Sequence, residues 1–341
     1  MNDEIVLSSR IRLARNIDGY PFFLSDERAP LLVKTVFDVL KKIDRFCLYR
    51  MTDFCETEAL AMMERHLISP DLIKNKKYGA AVVSEDESVS IMVNEEDHIR
   101  AQCILGGLSL DGAYKKLSLI DNALAGELKF AFSQKYGYLT SCLTNVGTGM
   151  RASVMMFLPA LTITGSLPDC INNAARLNMA VRGVYGEGSD SHGFIYQISN
   201  QRTLGISEVD IYRSVQSTAE QIARTESKAR DYLLRSAPAV IKDKISRSYG
   251  ILTNCYKIDH NEFIASIAFV KLGVYYGILN LTDRTGLNEL ITEMGSANLS
   301  IHLKDGGGST EAREARRDIL RAQNCVRRLK KLVMLNGDYI D

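Results

Sequence analysis

Residues 140–159 read TSCLTNVGTGMRASVMMFLP, so that a cysteine, a glycine-rich turn, an arginine and an apolar run follow one another within twenty positions. Two readings fit this stretch. In one, Gly147 and Gly149 let the backbone turn tightly and bring N–H groups toward an anion, and Arg151 adds a permanent cation. In the other, a strand and a turn lead into a buried apolar segment, with Cys142 a small core residue and Arg151 at the surface. Cys142 has no second cysteine near enough for a CxxC pair.

Working outward, residues 5–15 read IVLSSRIRLAR, where Ile11 and Leu13 alternate with Arg10 and Arg12. A strand there projects both arginines from one face. Such close cations repel unless an anion or acids sit between them, and a solvated edge strand fits the same pattern. Residues 30–49 and 53–68 have the spacing of amphipathic helices, the second stopped by Pro70, with His66 in a structural role. From Gly79 the pattern becomes AAVVSEDESVSIMVNEEDHIR, two β-type runs and then Asn94–Arg100, whose three consecutive acids fit either a polar strand exit or a carboxylate site facing a cationic substrate. A helix over 110–136, a strand at YLTS, a helix over 169–181, a glycine-rich loop at 181–190, the strand FIYQISN and a long helix from Ser207 to about Ser236 follow. Beyond Pro238 the pattern is helical at 239–257, 260–278 and 284–294, without clear strands. These shifts predict two domains, 1–235 and 236–341. The last helix carries eight Arg or Lys against three acids between Glu311 and Lys331; a solvated face, an anion pocket and a nucleic-acid contact all fit it.

The bulk properties narrow the classes. In 341 residues, 46% hydrophobic and 24% charged, with a formal net charge of +1, nothing global argues for nucleic acid. The N-terminal MNDEIVLSSRIR lacks a signal-peptide pattern, and the longest apolar run, 154–163, is broken by Pro159 and too short for a bilayer. The expectation is a cytoplasmic protein with no membrane partner. Seven widely spread cysteines match neither a zinc site nor a disulfide scaffold. Neither a P-loop nor a dinucleotide-binding GxGxxG nor kinase HRD and DFG signatures occur, so phosphate binding falls to arginines.

The motifs SSRIRLAR, NEEDHIR, the run from Cys142 to Arg151, and RGVYGEGSD at 182–190 resemble, in this order, the phosphagen (guanidino) kinases. HLISP, NVGTGMRASVMM, RGVYGEGS and YQISNQ are most similar to the bacterial protein-arginine kinase branch. The resemblance implies an α+β fold, an antiparallel sheet flanked by helices as in the phosphagen-kinase and glutamine-synthetase-like catalytic domains, followed by a small all-α domain. It implies Mg2+ and ATP as cofactors, with Arg10, Arg12, Arg100, Arg151 and Arg182 on the nucleotide phosphates and no metal ligated directly by the protein. Glu96 and Glu187 would grip the substrate guanidinium, with Cys142 as a thiolate beside it, while Glu95, Asp97 and His98 would be structural.

Two departures stand out. The family commonly has proline where this chain has Leu143, and that branch usually has histidine where Phe157 stands. A C-terminal phosphoarginine pocket is implied in one of two frames, Arg317, Asp318 and Arg321, or Arg313, Glu314 and Arg317. The resemblance further implies protein substrates, a homodimer, a small zinc-binding activator, a heat-shock repressor and a Clp-type protease as partners in a stress response, with no direct nucleic-acid contact. The competing functions are a metabolic phosphagen kinase acting on free arginine and a non-catalytic phosphoarginine-binding adaptor.

Overall fold

The computed structural model describes residues 4–184, 193–283, 286–303 and 309–337. Its described residues form two compact units built from discontinuous segments: 1–156, 169–182 and 197–223 in the first, and 157–168, 183–196 and 224–341 in the second. The sequence reading placed a single boundary at 235/236, inside the last turn of the helix Glu208–Ser236.

The first unit is organised by β1 (Val6–Arg15), β2 (Phe46–Arg50), β3 (Ala80–Ser84), β4 (Val89–Val93) and β5 (Ile99–Gly106), by the short hairpin of β6 (Phe132–Ser133) and β7 (Gly137–Tyr138), and by β8 (Met150–Phe157), β9 (Met179–Gly183) and β10 (Ile195–Asn200). Eight of these make one sheet in the order β2-β3-β4-β5-β1-β8-β10-β9, antiparallel from β2 through β8. The strand period of two divides each strand between two faces. On one face Ile11, Leu13, Ala101, Cys103, Ala152 and Val154 are at most 2% exposed, beneath the helix Leu110–Glu127, which buries Leu110, Ala113, Leu117, Ile120 and Leu124. The other face is covered only in part. Over β3 and β4 the helices Glu56–Glu64 and Pro70–Lys74 and the link between them pack Met62, Leu67, Ile68 and Leu72 against Ala81, Val83 and Met92. Over β5, β1 and β8 the same face carries arginines.

Several elements differ from the sequence expectation for identifiable reasons. Pro70 begins a helix instead of ending one: it lies in the first turn, where its missing N–H costs nothing, and Ser69 caps it by accepting from the Leu72 amide. The preceding helix ends at Glu64, and His66 takes a left-handed φ of 62°. The first helix stops at Leu40, because residues 46–50 form the edge strand β2. The helix expected over 110–136 ends at Glu127, and the one expected over 169–181 spans Leu167–Arg176 before β9.

The second unit is chiefly helical, with Pro238–Asn254, His260–Tyr275, Gly286–Glu293, Ser296–Ile301 and Thr310–Leu332 around a core that includes Ile245, Leu252, Phe263, Ile267, Val270, Leu290, Cys325 and Leu329. It also has a two-stranded ribbon, β11 (Leu279–Leu281) with β12 (Val333–Leu335), where the sequence suggested helices alone. Among the described residues no helix is long and apolar enough to cross a membrane.

Candidate active site

Register gathers the arginines. Ser90 of β4, Gln102 of β5, Arg12 of β1 and Arg151 of β8 lie opposite one another in a row across four strands. In the flanking rows Arg100 faces Ala14, and Arg10 lies between Ile104 and Ser153. Directly opposed residues have Cβ atoms roughly 5 Å apart, so Arg12 and Arg151 face each other as like charges. The electrostatics follow. Desolvation, then Arg100 and Arg151, pushes Arg10 down to about 10. Desolvation, then Arg10, Arg100 and Arg151, holds Arg12 well below the usual arginine value. Arg151 is lowered by desolvation, Arg182 and Arg100, so exposed Arg182 at the end of β9 belongs to the same cationic field.

Their hydrogen bonds leave donors over. Arg10 donates to Gln197 Oε1 at 3.0 Å and Ser153 Oγ at 3.4 Å, and Arg151 Nη2 to Ser199 Oγ at 2.9 Å. The Arg151 Nε is buried with no hydrogen-bond partner. Arg100 is paired with Glu95, which also accepts from Ser69. A cluster of this kind costs free energy until an anion with several oxygens occupies it.

Beside the arginines, a cleft of about 220 Å³ is lined by Arg12, Arg100, Arg151, Glu96, Cys142, Thr144 and Asn145, among others. The acidic turn of residues 94–98 forms one wall, and its members divide the work. Asn94, at φ 57°, clamps the Leu24 backbone through its side chain, accepting from the amide at 3.0 Å and donating to the carbonyl at 2.7 Å. Buried Asp97 accepts from Asn16 Nδ2, Ser141 N and Ser141 Oγ, each at 2.7 Å, and so ties the cysteine stretch to the acidic turn. His98 Nδ1 accepts from the Ile17 amide at 2.9 Å, which puts the proton on Nε2, 2.6 Å from the Pro21 carbonyl. Burial lowers its pKa, consistent with a neutral ring. Of residues 94–98 Glu96 alone is exposed; partial desolvation, then Asp97 and Glu95, raises its pKa, against Arg100.

The opposite wall is the stretch that opened the sequence reading. Gly147 and Gly149 have φ of 116° and 63°. A Cβ on Gly147 would strike the Thr203 carbonyl, and one on Gly149 would come within 2.6 Å of the Ala14 carbonyl. Their role is close packing: the amides of Gly147, Thr148 and Met150 donate to Tyr138 O, Thr203 O and Thr148 Oγ1. An anion cradle of those amides is therefore not what the turn provides. Arg15, which the sequence reading did not single out, is the anchor here. Its buried guanidinium pairs with Asp121 and Glu208, stacks on Tyr138 at 3.6 Å and donates to the Thr148 carbonyl at 2.9 Å. Cys142 Sγ lies 3.0 Å from Thr144 Oγ1.

His66, read from sequence as structural, lines a narrow pocket with Ser8, Arg10, Ser153 and Gln197. Desolvation and the charge of Arg10 lower its pKa. A histidine four residues before Pro70 carried no sequence signal for this, because only register brings it to Arg10. Glu187 lies outside the described residues. Among those described, no group of three His, Cys, Asp or Glu could hold a metal ion.

In the second unit, Arg321 is 1% exposed and donates to Met294 O, Ile258 O, Asp318 Oδ1 and Ser296 Oγ at 2.7–3.2 Å. These acceptors engage its Nε, Nη1 and Nη2. Arg317 and Asp318 are partly exposed on the same helix; Arg313 and Glu314 are exposed. Phe157 is buried, and its carbonyl accepts from Arg230.

Comparison with known proteins agrees with this geometry. Residues 31–229 match the family described as ATP:guanido phosphotransferase, C-terminal catalytic domain, and residues 238–337 match the Protein-arginine kinase McsB C-terminal domain. A protein-arginine kinase of Caldanaerobacter subterraneus subsp. tengcongensis is 43% identical over 307 residues, covering 87% of this chain and 90% of that protein. One of Geobacillus stearothermophilus is 45% identical over 297 residues, covering 85% and 82%. Among solved structures, a lombricine kinase superposes with a TM-score of 0.58 at 22% identity, over 67% of each chain. A duplicated taurocyamine kinase from Schistosoma mansoni, with bound transition state analog components, gives 0.61 at 22% over 80% of this chain and 46% of that one; both speak to the fold alone. With an arginine-lined sheet face beside an acidic turn, and relatives of this identity over most of its length, the chain belongs to the protein-arginine kinases, a family of ATP:guanido phosphotransferases.

Proposed function

We propose that this protein transfers the γ-phosphoryl group of ATP to arginine side chains of proteins. The observation that carries the reading is the set of guanidiniums at Arg10, Arg12 and Arg151 that depress one another's pKa, next to a single open carboxylate, Glu96, in a chain whose relatives are named protein-arginine kinase.

A polyphosphate fits the arginines because it brings several anionic oxygens to donors fixed by one sheet. Arg10, Arg12, Arg100, Arg151 and Arg182 would bind it, with His66 on its flank. Mg2+ bound with the nucleotide would supply further charge neutralisation on the phosphates. Phosphoryl transfer depends chiefly on alignment and on charge stabilisation along the reacting axis. The acceptor's guanidino nitrogen forms the N–P bond as the bond from γ-phosphorus to the bridging oxygen of ADP breaks, and its proton passes to carboxylate. Glu96 suits that role, since its raised pKa makes it a better proton acceptor than an ordinary surface glutamate. Glu187 would be the second carboxylate, and Cys142, as a thiolate, would face the guanidinium between them.

We further propose the division of labour expected from the sequence, catalysis in 1–235 and recognition with oligomerisation in 236–341. Phosphoarginine would bind at Arg317, Asp318 and Arg321, or in the second frame at Arg313, Glu314 and Arg317. Homodimer formation, a small zinc-binding activator, a heat-shock repressor and a Clp-type protease, acting together in a cytoplasmic stress response, complete the proposal.

The test is mass spectrometry under non-acidic conditions after incubation with Mg-ATP and a mixed protein substrate. Acid-labile phosphate should appear on protein arginines and fall about 10²–10⁴-fold in Glu96→Gln. Labelling confined to free arginine would transfer the site to a metabolic phosphagen kinase, and no phosphoryl transfer at all would leave a phosphoarginine-binding adaptor.

A further inference from the structure

The lip of the arginine cleft carries a side chain that the transfer chemistry leaves unused. Leu143 is 87% exposed, the highest value among the large apolar side chains of the described residues. It stands between Cys142 and Thr144, both of which line the cleft. Its turn is fixed: the Asn145 amide donates to Cys142 O at 3.0 Å, the Val146 amide to Leu143 O at 3.3 Å, and Thr140 Oγ1 to Cys142 O at 2.9 Å. Nothing in this turn requires leucine. Cys142 has extended backbone, φ −93° and ψ 123°, and a polar residue would close the same hydrogen bonds.

Three further exposed apolar side chains are borne by segments bonded to this lip. Thr203 Oγ1 donates to Thr144 O at 3.0 Å, and Leu204, 47% exposed, follows it. The Tyr138 amide donates to Gly147 O at 2.8 Å, and its hairpin carries Phe132 and Tyr136, 59% and 47% exposed. The lip itself, residues 141–149, contains no Asp, Glu, Lys or Arg, although the floor beneath it is crowded with charge. An arginine of a protein reaching that floor draws its neighbours in sequence over the rim, so the rim meets residues that free arginine does not possess.

We infer that Leu143 is a specificity-determining residue, and that it selects protein substrates with an apolar residue within two positions of the target arginine. The inference rests on the proposed function. The occupant is the substrate polypeptide, by continuity of the lip with the cleft.

The experiment compares short capped peptides, each with one arginine, flanked on the N-terminal side, the C-terminal side or both by leucine, or by serine throughout. The wild-type enzyme should prefer a leucine-flanked peptide by about tenfold in kcat/KM, as expected for burial of one such contact. In Leu143→Ser the preference should collapse through a higher KM for that peptide. At this exposure the substitution should leave folding intact, which circular dichroism and the melting temperature check. Equal wild-type rates on all peptides overturn the inference alone, as does an equal loss on all of them in Leu143→Ser, the result expected if the lip instead packs against a second copy. Phosphorylation of free arginine with no labelled peptide overturns the inference together with the proposed function.

Discussion

Arg230 is fully and Arg12 partly withdrawn from water, yet their surroundings answer the cost in opposite ways. Arg230, 0% exposed in the second unit, donates to Glu226 Oε1 at 2.7 Å and Phe157 O at 3.1 Å, and its guanidinium lies 4.3 Å from the Tyr275 ring centre. Glu226 in turn accepts from the Ala160 and Leu161 amides, so one ion pair caps the helix Pro159–Ile163. Arg12 instead faces Arg151 across the strand pair and is crowded by Arg10 and Arg100, with Glu95 the one acid relieving it among the described residues. A buried arginine with a carboxylate and a carbonyl serves the fold, even though its Nη1 has no hydrogen-bond partner. Arginines that depress one another's pKa bring the fold no such pairing.

The same substitution should therefore act in opposite directions in the two places. Arg230→Met leaves Glu226 buried and uncompensated, and should lower unfolding free energy by about 3–5 kcal/mol in denaturant titration. Arg12→Met keeps the stem and removes a repelling charge, so its melting temperature should hold or rise. Its kcat/KM should fall about 10²–10³-fold, or about 2.7–4 kcal/mol of transition-state stabilisation. If Arg12→Met destabilised as strongly as Arg230→Met, the distinction between the two regions would be lost.

A polyanion sharpens the contrast without any turnover. Inorganic tripolyphosphate at about 100 times its Kd should stabilise the wild type by about 2.7 kcal/mol. Arg12→Met should abolish that gain. Arg321→Met, whose lost guanidinium serves Met294, Ile258, Asp318 and Ser296, should start from a lower melting temperature and keep it.

These contrasts also mark where sequence reading stops. The alternation of Arg10 and Arg12 with Ile11 and Leu13 announced a strand with a cationic face, since side-chain period is a local property. That Arg100 and Arg151 come to that face depends on register across β5, β1 and β8, which no single strand records; their place at or just beyond strands showed that a sheet could gather them, and the resemblance to a family supplied the common site. Pro70 was misread because proline marks both a helix stop and a helix start, and Ser69 decides between them. The ribbon of β11 and β12 was missed because three-residue strands are too short to show a period. Arg15 looked like one more cation of SSRIRLAR, and its distinction is that Asp121 and Glu208 reach it from far along the chain.

The smallest expected effect concerns Glu96, the acid that the acidic turn leaves open while Glu95 and Asp97 are bonded to the protein. Its folded pKa is raised, first by partial desolvation and then by Asp97 and Glu95. A raised carboxyl pKa means that the folded state favours the protonated form. The associated stability is present below the unfolded value of roughly 4.3 and is lost as pH rises through the folded value. Glu96→Gln should therefore melt slightly higher than the wild type at neutral pH, by a few tenths of a kcal/mol on the order expected for a solvent-screened group. That advantage should vanish below about pH 4. The acid limb of kcat/KM in the wild type should lie above the ordinary glutamate range, because the reacting form is the anion. A Glu96→Gln protein with unchanged melting at both pH values, or a wild-type acid limb at or below an ordinary glutamate pKa, would show that the turn does not hold this carboxylate poised. The division of work among the acids of NEEDHIR would then need redrawing.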